Sequence, residues 1–321
     1  MSMKLIQACD YISVELEEVR ELFDQELQSD LPIVADMLEE VGKFRGKMLR
    51  PILVLLTGKS FGPVQHAHRV IATVMEMVHM ATLVHDDVLD EAEHRRRGQT
   101  INALHGNEAA VILGDLLFSH AYHLCSSLDN QLASRLVAAT AITVCEGELQ
   151  QLYHRGVHDL PESIYLDIIS RKTARLTASS CYLGGYASGA DESTCRALEQ
   201  FGHELGVAFQ IMDDVMDLVG DESLSGKTLG TDLLKEKMTL PLIHYFEHCP
   251  ASDKAQAQQV LESHDNQAFG TLIEQLEQSG SFTHARQEAA RRVKQAIGAL
   301  PSLPDRQAGE LLGELAQLIV D

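Results

Sequence analysis

Tryptophan is absent from this 321-residue chain, aromatic residues make up only 5% of it, and proline occurs eight times. Strand-like alternation of apolar and polar residues is also scarce, so a sheet-rich fold has little to build on. Basic residues number 26 against 47 acidic ones, a formal net charge of −21. With no long basic stripe, the chain does not read as a nucleic-acid binder or as a protein held by a polybasic membrane anchor. The six cysteines, Cys9, Cys125, Cys145, Cys181, Cys195 and Cys249, are scattered with no CxxC pair. That argues against a disulfide framework and a thiolate zinc site, and for reduced, mostly buried thiols. The longest strongly apolar stretches, such as Pro51–Leu56 and Ala109–Leu113, fall far short of the ~20 residues that span a bilayer. The N-terminus has no apolar core of a signal peptide. A soluble, cytoplasmic protein is expected.

Apolar residues make up 45% of the chain, enough for a packed core. Ala, Leu, Glu and Gln are abundant, which favours helix. Apolar side chains recur every three or four residues: Leu16, Val19, Leu22, Phe23 and Leu27; then Val70, Val74, Met77, Val78, Ala81 and Val84; then Leu198, Phe201, Leu205, Phe209 and Met212. Glycine and proline punctuate segments long enough for extended helices. No linker divides the chain. The pattern predicts one all-α domain over residues 1–321, with ten or more helices. Residues after about 250 read as peripheral amphipathic helices.

One pattern occurs twice, Asp86-Asp87-Val88-Leu89-Asp90 and Asp213-Asp214-Val215-Met216-Asp217, each after an apolar helical stretch. Residues i and i+4 share a helix face, so Asp86 and Asp90 aim the same way, as do Asp213 and Asp217. Such stacked carboxylates are unfavourable unless a cation cancels their charge. Mg²⁺ suits them: it takes oxygen ligands and is commonly shared between carboxylates and substrate phosphates. A single cluster would read as a solvated acidic face; two near-identical copies would not. Arg95, Arg96 and Arg97 follow the first cluster. Beside three aspartates they read as part of a phosphate site, since arginine offers a bidentate fork to phosphate oxygens. Lys47 and Arg50, Lys172 and Thr173, Lys227 and Thr228, and Lys235 and Lys237 add further basic positions.

From Gly46 to Pro241 the sequence resembles the trans-polyprenyl diphosphate synthases, the head-to-tail isoprenyl transferases. The match rests on Glu76 through Asp90 with Arg95-Arg96, on Phe209 through Asp217, and on Gly226-Lys227-Thr228-Leu229-Gly230-Thr231-Asp232 continuing to Lys237-Met238-Thr239-Leu240-Pro241. The resemblance implies a large orthogonal helical bundle around a central apolar cavity. It implies that Lys47, Arg50, His79 and Arg96 hold isopentenyl diphosphate. Asp86 and Asp90, with Asp87 between them, would bind two Mg²⁺ on an allylic diphosphate touched by Arg95. Asp213 would bind a third, supported by Asp214 and Asp217. Lys172, Lys227 and Lys237 would neutralise the departing diphosphate, with Thr173 and Gln210 lining the reacting centre. A homodimer is implied, through helices in the 102–150 region. Four positions depart from the family pattern: Arg45 and Met48 in the Arg45–Pro51 stretch, where glycine and arginine are usual, the extra Arg97, and Glu236 where a glycine usually precedes Lys237.

Product length has one clue. Ala81 and Thr82, one turn before Asp86, are small where short-chain members often carry Phe or Tyr; Met77 and Val78 form the next turn. An open tunnel and a long product such as octaprenyl diphosphate are expected. Farnesyl or geranylgeranyl diphosphate synthesis, a terpene cyclase and a non-catalytic helical subunit are the alternatives. Other readings fit worse. Gly220 to Thr228 has one residue too many for a P-loop and follows a helix. The Glu76–His79 and Glu91–His94 tetrads lie in one segment, whereas a di-iron bundle needs them on opposed helices. A metal phosphohydrolase built on His79, His85 and Asp86 leaves the second aspartate cluster unexplained.

Overall fold

The computed structural model describes residues 3–95, 98–220, 230–263 and 266–321. Its helices are α1 (Met3–Tyr11), α2 (Ser13–Glu26), α3 (Pro32–Lys43), α4 (Leu49–Lys59), α5 (His66–Leu89), α6 (Ile101–His105), α7 (Asn107–Ser126), α8 (Gln131–Tyr153) and α9 (Glu162–Ile169). A π-helical turn, Ser170–Ala174, joins α9 to α10 (Arg175–Ala187). Then come α11 (Glu192–Val219), α12 (Thr231–Leu234), α13 (Leu240–His248), α14 (Ala251–Ser263), α15 (Asn266–Gln278), α16 (Ser281–Ala299) and α17 (Arg306–Gln317). Among the described residues the only strands are two-residue pieces, His94–Arg95 paired antiparallel with Gly98–Gln99. The all-α expectation holds.

The central helix is α5. Val70 to Val78, Met80, Ala81 and Val84 are buried on nearly every side, the signature of a helix enclosed by others. It starts with a capping box between Gln65 and His68, which satisfies N–H groups that would otherwise be left bare. One buried cluster surrounds it, drawing on α1 to α8, α10 and the first half of α11. A second joins α9, the C-terminal half of α11, α13 and α14 to α16. The helices after residue 250 are therefore not all peripheral. On α16, Phe282, Ala285, Ala289, Val293 and Ala296 are fully or almost fully buried, and the helix packs along α11. Its polar face reads as a surface helix in sequence, but its alanine stripe is narrow enough to lie close against a neighbour.

Close approach also decides where α4 meets α10. A Cβ on Gly184 would stand 2.0 Å from Thr57 Oγ1 and 2.5 Å from the Val54 carbonyl oxygen. Alanine there gains up to about 1 kcal/mol of helix propensity, but overpacking costs about 1–3 kcal/mol or more. Gly184→Ala should therefore lower the thermal midpoint by several degrees. On α15, a Cβ added at Gly270 would meet nothing within 4 Å, so Gly270→Ala should leave the midpoint unchanged or slightly raised. Equal midpoints for the two variants would refute the packing argument.

Candidate active site

Both aspartate clusters sit at the C-terminal ends of their helices, Asp86, Asp87 and Asp90 on α5 and Asp213, Asp214 and Asp217 on α11. All six line one cavity of about 2190 Å³. A helix C-terminus carries the negative end of the macrodipole, so six carboxylates gathered there demand cations. Helix α5 closes with a Schellman turn: Glu91 is left-handed (φ 49°), its N–H donates to Val88 O, and Ala92 N–H donates to Asp87 O at 2.9 Å. That turn sends the chain back so that Arg95 reaches Asp87.

The six aspartates divide into two kinds. Asp87 and Asp214 are buried. Arg95 Nε lies 2.9 Å from both Asp87 oxygens and its Nη2 2.7 Å from Oδ1. Burial raises the Asp87 pKa while Arg95 pulls it down. Asp214 accepts from Tyr165 Oη at 2.6 Å and from Gln210 Nε2 at 2.7 Å, and burial, then Asp232, pushes its carboxyl far up. Asp217 accepts from the Thr231 hydroxyl at 2.9 Å and Asp232 N–H at 3.1 Å; burial, then Asp232, raises it to about 6. Asp87 and Asp214 are thus held by protein donors at the buried wall of the cavity. Asp86, Asp90, Asp213 and Asp217 are half-buried and more open to the cavity.

The opposing cations come from other elements. The Lys172 ammonium contacts Glu148 and lies 3.5 Å from Asp86 Oδ2. Burial works against its charge, but Asp86 and Glu148 prevail and raise its pKa. Lys237 Nζ lies 3.2 Å from Asp90 and 3.5 Å from Asp232. Burial opposes this charge too, and again the acids, Asp232 and Asp90, raise the pKa. Arg155 Nη2 lies 3.3 Å from Asp90 Oδ1. The π-helical turn at Ser170–Ala174 is what carries Lys172 and Thr173 to this wall, and such turns recur at functional sites. Gly147 on α8 makes room for it: a Cβ there would stand 2.7 Å from Arg171 Cβ and 2.8 Å from Lys172 N. Thr173 Oγ1 donates to Gln210 Oε1 at 2.7 Å, so Gln210 is held between Thr173 and Asp214.

Lys47, Arg50 and His79 line the same cavity, beside the buried Glu76. Met48, between the two basic residues, is buried and left-handed at φ 55°. Arg96, Arg97, Lys227 and Thr228 lie outside the described residues. Arg95, expected on a diphosphate, lines the cavity with its fork on the buried Asp87. Of the residues expected at the tunnel floor, Thr82 lines the cavity. Ala81, Met77 and Val78 are buried in helix packing and do not. Sequence reasoning missed Glu148, Arg155, Tyr165 and Asp232 as site residues. Asp232 closes the Gly226–Asp232 motif; the others are single polar residues that only the fold brings to the cavity.

Among the described residues no three acidic, histidine or cysteine side chains converge as a closed metal cage. The donor set nonetheless fits Mg²⁺: hard carboxylate oxygens on two facing walls, with room between for phosphate oxygens to complete the coordination.

A family model described as polyprenyl synthetase matches residues 31–276. The chain is 34% identical over 318 residues to the heptaprenyl diphosphate synthase component 2 of Geobacillus stearothermophilus, covering 99% of this chain and 98% of the other. It is 32% identical to the octaprenyl diphosphate synthase of Escherichia coli K12, covering 92% of each. Among solved structures, the decaprenyl diphosphate synthase of Rhodobacter capsulatus superposes with a TM-score of 0.93 at 30% identity, over 98% of both chains. A Caulobacter crescentus polyprenyl synthase, complexed with calcium and isoprenyl diphosphate, gives 0.95 at 29% identity, over 98% of this chain and 97% of the other. The facing aspartate clusters and the lysines between them thus belong to a known architecture: the chain is a member of the polyprenyl synthetase family and a prenyltransferase.

Proposed function

We propose that the chain condenses an allylic diphosphate with isopentenyl diphosphate, repeatedly, to make a medium- or long-chain all-trans polyprenyl diphosphate. The observation that carries this reading is the pair of aspartate-bearing helix ends facing one large cavity. Bound Mg²⁺, three ions with substrate, supplies positive charge beside the leaving diphosphate. Lys172 and Lys237 hold that diphosphate as its negative charge grows. Lys47, Arg50 and His79 hold the second diphosphate on the adjacent wall. Thr173 and Gln210 fix the reacting centre between them. The allylic carbon–oxygen bond breaks, the isopentenyl double bond attacks the allylic cation, and a proton leaves to the released diphosphate. Buried apolar side chains lining the cavity, such as Val144 and Ile169, exclude water from the cation. We place the enzyme in the cytoplasm; no described helix is long and apolar enough to cross a membrane.

The assembly we propose is a homodimer. Ile112, Tyr122, Ile142, Leu149 and Tyr153 on α7 and α8 are exposed, and large exposed apolar patches mark protein contacts. The relative named as component 2 favours a second reading, in which a non-identical partner covers this face.

Incubation with farnesyl diphosphate, isopentenyl diphosphate and Mg²⁺, followed by product chromatography, tests the reading; cyclised products, or none from a dimeric chain, would refute it. Asp86→Ala and Asp213→Ala should each cost at least about 10²-fold in kcat with the circular dichroism spectrum retained. Near-normal turnover would refute their role. Thr82→Phe should shorten the product by placing a ring in the cavity, and unchanged lengths would move the floor elsewhere. The double variant Ile112→Glu, Ile142→Glu should convert the dimer to monomer in light scattering. A wild-type chain that is monomeric and inactive alone would favour the heteromeric reading.

A further inference from the structure

Asp90 is held from two directions. Lys237 approaches its Oδ2 from the segment after α12, and Arg155 approaches its Oδ1 from the turn after α8. That turn is fastened to the residue beside Lys237. Gly156 N–H donates to the Glu236 carbonyl oxygen at 3.2 Å, and His158 Nε2 lies 3.3 Å from Glu236 Oε2. Gly156 is left-handed at φ 74°, and a Cβ there would stand 3.4 Å from Glu236 Oε2. The carboxylate therefore lies over a bare glycine.

Glu236 is itself left-handed, at φ 49°. It closes α12 in a Schellman turn, with its N–H donating to Leu233 O at 3.0 Å and Lys237 N–H to Asp232 O at 2.9 Å. Glycine fits that conformation without strain and glutamate does not. The Gly156 bond uses the backbone carbonyl and would survive with glycine at 236, so the contact of the Glu236 carboxylate with His158 is where a glutamate gains. The clasp fixes the spacing between Arg155 and Lys237, so both cations bear on one aspartate.

We propose that Arg155 is a further positioning residue for the allylic diphosphate, set in place by the clasp of Glu236 on Gly156 and His158. Its guanidinium lines the cavity and is partly exposed. In the free enzyme it neutralises Asp90. Once a cation engages Asp90, the fork turns to the diphosphate oxygens, which it suits better than a lysine would. The inference rests on the function proposed above, and its test is chosen to be read separately.

Calorimetric titration of inorganic diphosphate in the presence of Mg²⁺, with steady-state kinetics, would be run on wild type, Arg155→Ala, Arg155→Lys and Glu236→Gly. Arg155→Ala should weaken diphosphate binding and raise KM for the allylic substrate by about tenfold. KM for isopentenyl diphosphate and the melting temperature should stay as in wild type. Arg155→Lys should restore part of the loss. Glu236→Gly should shift binding in the same direction by less, with an equal or higher melting temperature because the backbone strain is removed. Wild-type diphosphate affinity in Arg155→Ala would overturn the proposal, as would equal rises in both KM values with a lower melting temperature. An Arg155-dependent affinity in a dimeric chain that forms no prenyl product would sustain the diphosphate site and refute the prenyl-transfer reading alone.

Discussion

Two long helices deliver their C-terminal ends, and six aspartates with them, to one cavity. Each helix end adds its own partial negative charge, and the cavity walls remove water that would otherwise screen it. Left alone, this concentration of charge would drive α5 and α11 apart. The structure answers it in three ways. Asp87 is forked by Arg95. Asp214 is hydrogen-bonded by Tyr165 and Gln210 and driven toward its neutral form. Asp86 and Asp90 face Lys172, Lys237 and Arg155. In the proposed reading the lysines that pair with these aspartates also hold the diphosphate, so folding and substrate binding draw on one set of charges.

The cations come from distant parts of the chain, which explains several local oddities. Lys172 stands on a π-helical turn that α8 can approach only because residue 147 is glycine. Lys237 follows a Schellman turn built on a left-handed glutamate. The α5 terminus uses the same device, with Glu91 left-handed. Irregular backbone thus clusters where basic groups must meet carboxylates, consistent with strain being tolerated at functional sites.

The aspartate clusters were legible because carboxylates at i and i+4 on an apolar helix have no other good explanation, and because the pattern occurs twice. Helical class followed from periodicity, and the segment order from family resemblance. Finer geometry was not legible. Helix α5 is buried on nearly all sides, so periodicity cannot say whether Ala81 or Thr82 faces the cavity; one residue of helical phase separates the two, and only packing decides it. Glu148 and Tyr165 carry no spacing signal, since each is a lone polar residue on a helix whose face is fixed by tertiary contacts. Arg155 sits in a turn, where a basic residue is ordinary. The alanine stripe of α16 misleads for the opposite reason: small residues read as surface filler yet permit the tightest burial.

The net charge of −21 bears on how such a protein binds two polyanions. At physiological ionic strength the Debye length is about 8 Å, so most surface acids are screened from a diphosphate inside the cavity. In the proposed reading, what the substrate meets is the local balance of the cavity lining: Lys47, Arg50, Lys172, Lys237 and Arg155 against carboxylates that can hand their charge to a divalent cation. In a partly desolvated cavity each of these interactions is stronger than on the surface. No distant lysine can substitute for one that is lost. A surface charge can be exchanged with little effect, whereas a cavity charge cannot, and this asymmetry is what lets a protein be acidic overall and still gather diphosphates.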